Sequence, residues 1–271
     1  MATFKHNEYE IYYEEYGKGT PLVLLNGIMM STLSWKPFIE TFSQNHRLIL
    51  LDLLDQGRSS KLDGLTYNLD IQVEVLKGLC DALSLDQIDL FGISYGGEVA
   101  MRFAIANPTY LRRLMLFNTT AYTSPWLQEI GNAWNRASHD PEGYYATTIP
   151  VIYSARFYTE NFEWMEKRKQ FLLNVFANPV FISAMVRLTN SANDHDVRDC
   201  LHLILVPTLV VACEHDYITP SIEQTLLASK IPHASLVMIP DSGHASMYEK
   251  PMLFSSLVLG FVSTNKTDSV I

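Results

Sequence analysis

Cysteine is nearly absent from this chain. The three present, Cys80, Cys200 and Cys213 in 271 residues, are too few and too irregularly spaced for a disulfide framework or a cysteine zinc site, and they fit a reduced, cytoplasmic setting. Long hydrophobic runs are also missing. The longest apolar stretch, 203–213, is interrupted by Pro207 and is too short to span a bilayer. The first ten residues are polar and carry acidic groups, unlike a signal peptide. A basic stripe is lacking too: the net charge is −9, with both signs spread along the chain, which excludes nucleic acid as the expected partner. No His-Glu-x-x-His or paired-cysteine pattern suggests a metal, and no glycine spacing suits a dinucleotide turn, so neither metal nor cofactor is expected. Asn265-Lys266-Thr267 forms a glycosylation sequon, read as a chance match in a chain without a secretory signal.

What is present is alternation. Short apolar runs at 21–25, 48–54, 88–91, 111–117, 208–212 and 236–239 are bounded by Gly, Pro, Asn or Asp, as buried parallel strands are. An earlier strand is predicted at 10–16. Helical patterns fall between them at 69–83, 98–106, 221–229 and 252–262. This is the order of βα units around a mostly parallel sheet. Residues 121–200 break the pattern. They contain no convincing buried strand but many rings, including Tyr122, Trp126, Trp134, Tyr144, Tyr153, Trp164 and Phe176. The expectation is a core formed by 1–120 and 201–271 with a helical cap at 121–200, its rings forming the cap's own core and lining an apolar pocket.

Gly92-Ile93-Ser94-Tyr95-Gly96-Gly97 follows a predicted strand and precedes a predicted helix. A tight turn there presents the serine hydroxyl at the carboxyl edge of the sheet, and Gly92 and Gly96 let neighbouring chains approach. The N–H of Tyr95 would face a developing oxyanion. A serine hydroxyl needs a base. His244, in Asp241-Ser242-Gly243-His244 after the last predicted strand, lies at the same edge, while the other histidines sit near strand starts or in the 121–200 stretch; His215 alone competes. Asp216, at the end of the fifth strand, is the candidate acid, with Glu214 and Asp241 as alternatives. A second oxyanion donor is expected from the loop after the first core strand, where Gly27 permits a sharp turn and the N–H of Ile28 points inward.

At these residues the sequence resembles the α/β-hydrolase superfamily, over 21–97 and 207–251. The resemblance implies Ser94 as nucleophile, Asp216 as acid, His244 as base, and Ile28 and Tyr95 as oxyanion donors. Two positions depart from the common pattern: Asn26-Gly27 stands where many members have His-Gly, and Asp55-Gln56 where Gly-His is common. The run from Asn26 to Ser34 is similar to the acyltransferase of rhamnolipid lipid-moiety synthesis. The expected activity is therefore cleavage of a small-molecule ester, thioester or lactone through an acyl-enzyme. Transfer of a hydroxyacyl group to an alcohol is one alternative, and a non-catalytic ligand-binding role on the same fold is the other.

Overall fold

The structure is a computed structural model that describes residues 2–263; the Asn265 sequon lies outside them. Among these residues eight strands form one sheet: β1 (Ala2–His6), β2 (Tyr9–Tyr16), β3 (Thr20–Leu25), β4 (His46–Leu51), β5 (Ile88–Ile93), β6 (Leu111–Phe117), β7 (Thr208–Cys213) and β8 (Ala234–Ile239). Their order is β1-β2-β4-β3-β5-β6-β7-β8. Only β2 pairs antiparallel, with β1 and β4; the other pairings are parallel. The helices are α1 (Ile39–Ser43), α2 (Asp70–Ala82), α3 (Tyr95–Ala106), α4 (Pro125–Ala137), α5 (Pro141–Ile152), α6 (Ala155–Glu160), α7 (Phe162–Phe176), α8 (Pro179–Ser191), α9 (Ser221–Lys230), α10 (Ser246–Glu249) and α11 (Pro251–Ser263).

The central strands read as unbroken apolar runs because both of their faces are covered. Leu22, Leu24, Leu48, Leu50, Phe91, Phe117 and Val211 pack with Trp35, Phe38, Phe42 and Phe254, from the 3-10 helix Thr32–Phe38, α1 and α11. Their alternating partners Val23, Leu25, Ile49, Leu51, Leu90, Leu116 and Val210 pack with Leu76 and Leu79 of α2, Val99 and Phe103 of α3, and Leu227 of α9. The chain crosses to β4 on one side of β3 and to β5 on the other, so the β3 and β5 loops open at the switch point where such sheets bind ligands.

Two sequence expectations shift at their edges. The run 48–54 leaves the sheet after Leu51, because the N–H of Leu54 is taken by the Gln72 side chain at 3.0 Å and that of Gln56 by Leu53 O at 3.0 Å. Leu53 and Leu54 are buried all the same, so apolarity alone could not mark the strand's end. The polar N-terminal segment is an edge strand, β1, held by backbone pairing to β2 while most of its side chains face solvent.

Between β6 and β7 the chain forms α4 to α8 and contributes no strand to the sheet. The entry and exit of this excursion are tied together. Tyr122 bridges Asp196, Val197 N–H donates to Ala121 O at 2.8 Å, and Thr123 N–H donates to His195 O at 2.8 Å. Tyr144, Tyr145, Tyr153 and Phe176 are buried, whereas Trp126, Phe162 and Phe171 are exposed. No single described helix is long and apolar enough to cross a membrane.

His195 fixes that tie in the neutral state. It is 2% exposed, its Nε2 lies 3.0 Å from Thr120 O, and its Nδ1 accepts from Arg102 Nε at 3.2 Å. Burial, with Arg102 beside it, pushes the ring down from 6.5 to about 4. The unfolded chain therefore takes up this proton first on acidification. The ring's contribution is intact above pH 6.5 and is lost as the pH falls towards about 4, on the order of 3 kcal/mol in all. His195→Gln should lose less stability than the wild type between pH 7 and 4.5 in urea unfolding. Parallel losses in the two proteins would contradict this.

Candidate active site

Ser94 sits between β5 and α3 with φ +53° and ψ −124°, a backbone state costly for a residue with a side chain. Neighbours hold it there. Its N–H donates to Phe117 O at 2.9 Å, and its carbonyl accepts from Gly97 N–H and Thr119 Oγ1, each at 2.8 Å. The flanking glycines are required by approach. A Cβ on Gly92 would lie 2.3 Å from Gly96 O, and one on Gly96 would lie 2.6 Å from Leu25 O. Tyr95 is the first residue of α3, where an N–H has no intrahelical acceptor. Across from it the Asn26-Gly27 turn brings Gly27 so close that an added Cβ would stand 3.5 Å from Ser94 Cβ. The N–H of Ile28 makes no hydrogen bond among the described residues.

Asp216 follows β7 and His244 follows β8, at the same edge. His244 Nδ1 lies 2.8 Å from Asp216 Oδ2. The carboxylate also accepts from Ile218 N–H and Thr219 N–H at Oδ1, each at 2.9 Å, and from Thr219 Oγ1 at 2.9 Å and Asn118 Nδ2 at 2.8 Å, both at Oδ2. Burial alone would raise this carboxyl, but His244 and these donors outweigh it and hold it below the usual range. The competing residues are placed otherwise. Asp241 pairs with Arg156 and Lys250, Glu214 accepts from Asp241 N–H at 2.8 Å, and His215 is exposed. Ser94 and Thr219 line one cavity, and Thr219 Oγ1 is 3.5 Å from His244 Nδ1, so Thr219 links the His244–Asp216 pair to the cavity of Ser94. Among the described residues Ser94 Oγ and His244 Nε2 make no hydrogen bond. Such contacts commonly tighten only with substrate bound. With Nδ1 held by the carboxylate, Nε2 is left to exchange a proton.

Sequence reasoning missed several supporting side chains. Asn118, at φ +48° after β6, spans the site: its Nδ2 holds Asp216, and its Oδ1 accepts from Ser246 Oγ at 3.3 Å. A polar residue tolerant of positive φ after a buried apolar strand was its only signal. The two departures from the common family pattern touch each other. Asn26 Nδ2 donates to Gln56 Oε1 at 3.2 Å, and Gln56 Nε2 donates to Gly27 O at 3.0 Å, while Trp35 Nε1 donates to Asn26 Oδ1 at 2.7 Å. This buried network orients the turn that carries the Ile28 N–H.

The cavity beside Ser94 has a volume of about 60 Å³ and is lined by Ile28, Tyr95, Glu98, Thr123, Trp134, Thr189 and Ile218, with exposed Gln128 and Asn193. Trp134 is the ring that residues 121–200 bring to it; Tyr144 packs on Phe176, and Tyr153 on Phe157 and Tyr248, away from this lining. The expected aromatic pocket is therefore a small one of mixed polarity. A larger groove of about 730 Å³, between 64–66 and α8, contains none of the predicted site residues. Among the described residues no cluster of three or more His, Cys, Asp or Glu side chains could hold a metal.

Residues 20–251 match the family described as alpha/beta hydrolase fold. The chain is 29% identical over 254 residues, 93% of its length and 94% of the relative's, to a putative carbamate hydrolase, RutD, of Azorhizobium caulinodans. It is 46% identical to MGS-M2, an alpha/beta hydrolase enzyme from a Medee basin deep-sea metagenome library, with TM-score 0.97 and full coverage of both chains. A thermophilic esterase from Thermogutta terrifontis is 29% identical, with TM-score 0.81 over 94% of this chain and 93% of the esterase.

Glu249 fixes the segment carrying His244. Its carboxylate accepts from Gly243 N–H at 3.0 Å, Ser154 N–H at 2.9 Å and Ser154 Oγ at 2.6 Å, and Ala245 N–H donates to Ile152 O at 2.9 Å. Both neighbours of His244 are thus tied down, one of them directly to α5. Glu249→Ala strands three donors that are now buried, and should lower stability by about 2–4 kcal/mol. Thermal or urea unfolding measures this; an unchanged midpoint would refute the role.

Proposed function

The chain belongs to the α/β-hydrolase fold family and is an enzyme of the hydrolase type, and from this premise we propose that it cleaves a small carboxylic ester, thioester or lactone through an acyl-enzyme on Ser94. Ser94 Oγ attacks the carbonyl carbon while His244 Nε2 takes the hydroxyl proton. Asp216 keeps the imidazole in the tautomer with Nδ1 protonated and stabilises its charged form. The N–H groups of Ile28 and Tyr95 receive the oxyanion. The tetrahedral adduct collapses, the C–O or C–S bond of the leaving group breaks, and His244 returns the proton to it. Water then adds to the acyl-enzyme, with His244 again as base, and releases the acid and free Ser94.

The observation that carries this reading is the 2.8 Å contact of His244 with a carboxylate buried among four further donor contacts, at the edge where Ser94 is held strained. Exposed Gln128 and Asn193 on the lining keep water close to the acyl group and favour hydrolysis over transfer to an alcohol. The cavity of about 60 Å³ is small, which suits a short acyl chain rather than a hydroxy fatty acid.

Replacing Ser94 with Ala should lower kcat on p-nitrophenyl acetate by about 1,000-fold or more, with the fold retained; undiminished turnover would end the proposal. Wild-type kcat/KM should fall by about tenfold or more from p-nitrophenyl propionate to octanoate. An equal or rising value would contradict the size of the acyl site.

A further inference from the structure

Glu98 has no place in the chemistry above, yet it lines the cavity of Ser94. It lies four residues further along α3, about 6 Å along the helix axis, on the same face, and side chains on a helix lean back towards its N-terminus and so towards Ser94. The residue is 5% exposed. Its Oε2 is buried without a hydrogen-bond partner, and it forms no ion pair among the described residues. The nearest cation on its own helix is occupied elsewhere: Arg102 reaches Asp70 at 2.8 Å, His195 Nδ1 at 3.2 Å and Asp194 O at 3.3 Å. Tyr95, which also lines the cavity, turns its hydroxyl to Ser191 Oγ at 2.9 Å. A carboxyl left unsatisfied in a buried site is costly unless something else completes it.

We propose that Glu98 reads the acyl part of the substrate, its carboxyl taking a hydrogen bond from, and returning one to, an uncharged polar head such as a hydroxyl or an amide a few bonds from the scissile carbonyl. Desolvation, only partly offset by Arg102, pushes this carboxyl up to about 8. It is therefore mostly protonated near neutral pH, with one O–H donor and a carbonyl acceptor. A hydroxyl or amide matches that pair. An ammonium group would need the carboxyl ionised against the desolvation that burial imposes, and a plain alkyl chain leaves it unpaired. The small volume of the site places the polar head close to the carbonyl. This inference rests on Ser94 being the acylated residue.

The test uses three methyl esters that differ at one position: propionate, glycolate and glycinate present CH3, OH and NH3+ beside the same CH2. For the wild type, kcat/KM divided by each ester's hydroxide-catalysed rate should favour glycolate over propionate by about tenfold or more. Glu98→Met should erase that preference, and Glu98→Gln, which keeps a donor and an acceptor, should retain most of it. No glycolate preference in the wild type overturns the proposal whether or not the variants fold. So does an unchanged ratio in Glu98→Met, or a preference for glycinate that Glu98→Gln abolishes. These results leave the acyl-enzyme reading standing as long as Ser94→Ala is inactive; turnover that survives in Ser94→Ala removes that reading instead.

Discussion

Asp216 is a carboxylate withdrawn from water at the end of β7, and the site depends on its staying charged there. Burial works against the charge. Four hydrogen bonds from Ile218, Thr219 and Asn118, together with the His244 ring, work for it and prevail. Three of the four donors come from the turn that follows Asp216, so the carboxylate is set by its own loop. The fourth comes from the neighbouring strand end and fixes it relative to the sheet. A carboxylate held this way presents one defined oxygen to the imidazole. The tautomer and orientation of His244 follow from that oxygen, and the segment carrying the ring is clamped independently by Glu249.

The other half of the site stores strain where the fold can bear it. The positive φ of Ser94 is imposed by close packing of the β3 turn, the start of α3 and Thr119, which leaves no room for a Cβ at Gly92, Gly96 or Gly97. Asn26 and Gln56 extend the same packing to the facing turn. Each departs from the common family pattern, but together they form one buried hydrogen-bonded unit with Trp35 and Gly27. They read as a joint replacement that preserves the turn.

The sheet was legible because strands buried on both faces write continuous apolar runs, and the serine turn because its glycines fall within six consecutive residues, 92–97. Asp216 and His244 were reached only by counting strand ends; β7 and β8 are short and cleanly bounded, and the two side chains lie 2.8 Å apart. Asn118, Gln56 and Glu249 were not legible: each acts across 29 to 98 residues of separation, and polar residues in loops look alike until the loops are packed. β1 was hidden because an edge strand held by backbone pairing needs no apolar pattern. The rings of 121–200 were visible, but their direction was not: Trp134 lines the cavity, while Trp126, Phe162, Trp164 and Phe171 face solvent. Glu98 was within reach, since a spacing of four on a helix starting after Ser94 places it beside the serine.

The account turns on whether the hydroxyl of Ser94 is made nucleophilic by its neighbours, and covalent trapping reports that without assuming any substrate. The protein is treated with a fluorophosphonate and its peptides are mapped by mass spectrometry. A single adduct on Ser94, forming rapidly in the wild type and at least 100-fold more slowly in Asp216→Asn, is the expected result. An unmodified Ser94, an adduct on another serine, or equal rates in the two proteins would contradict it.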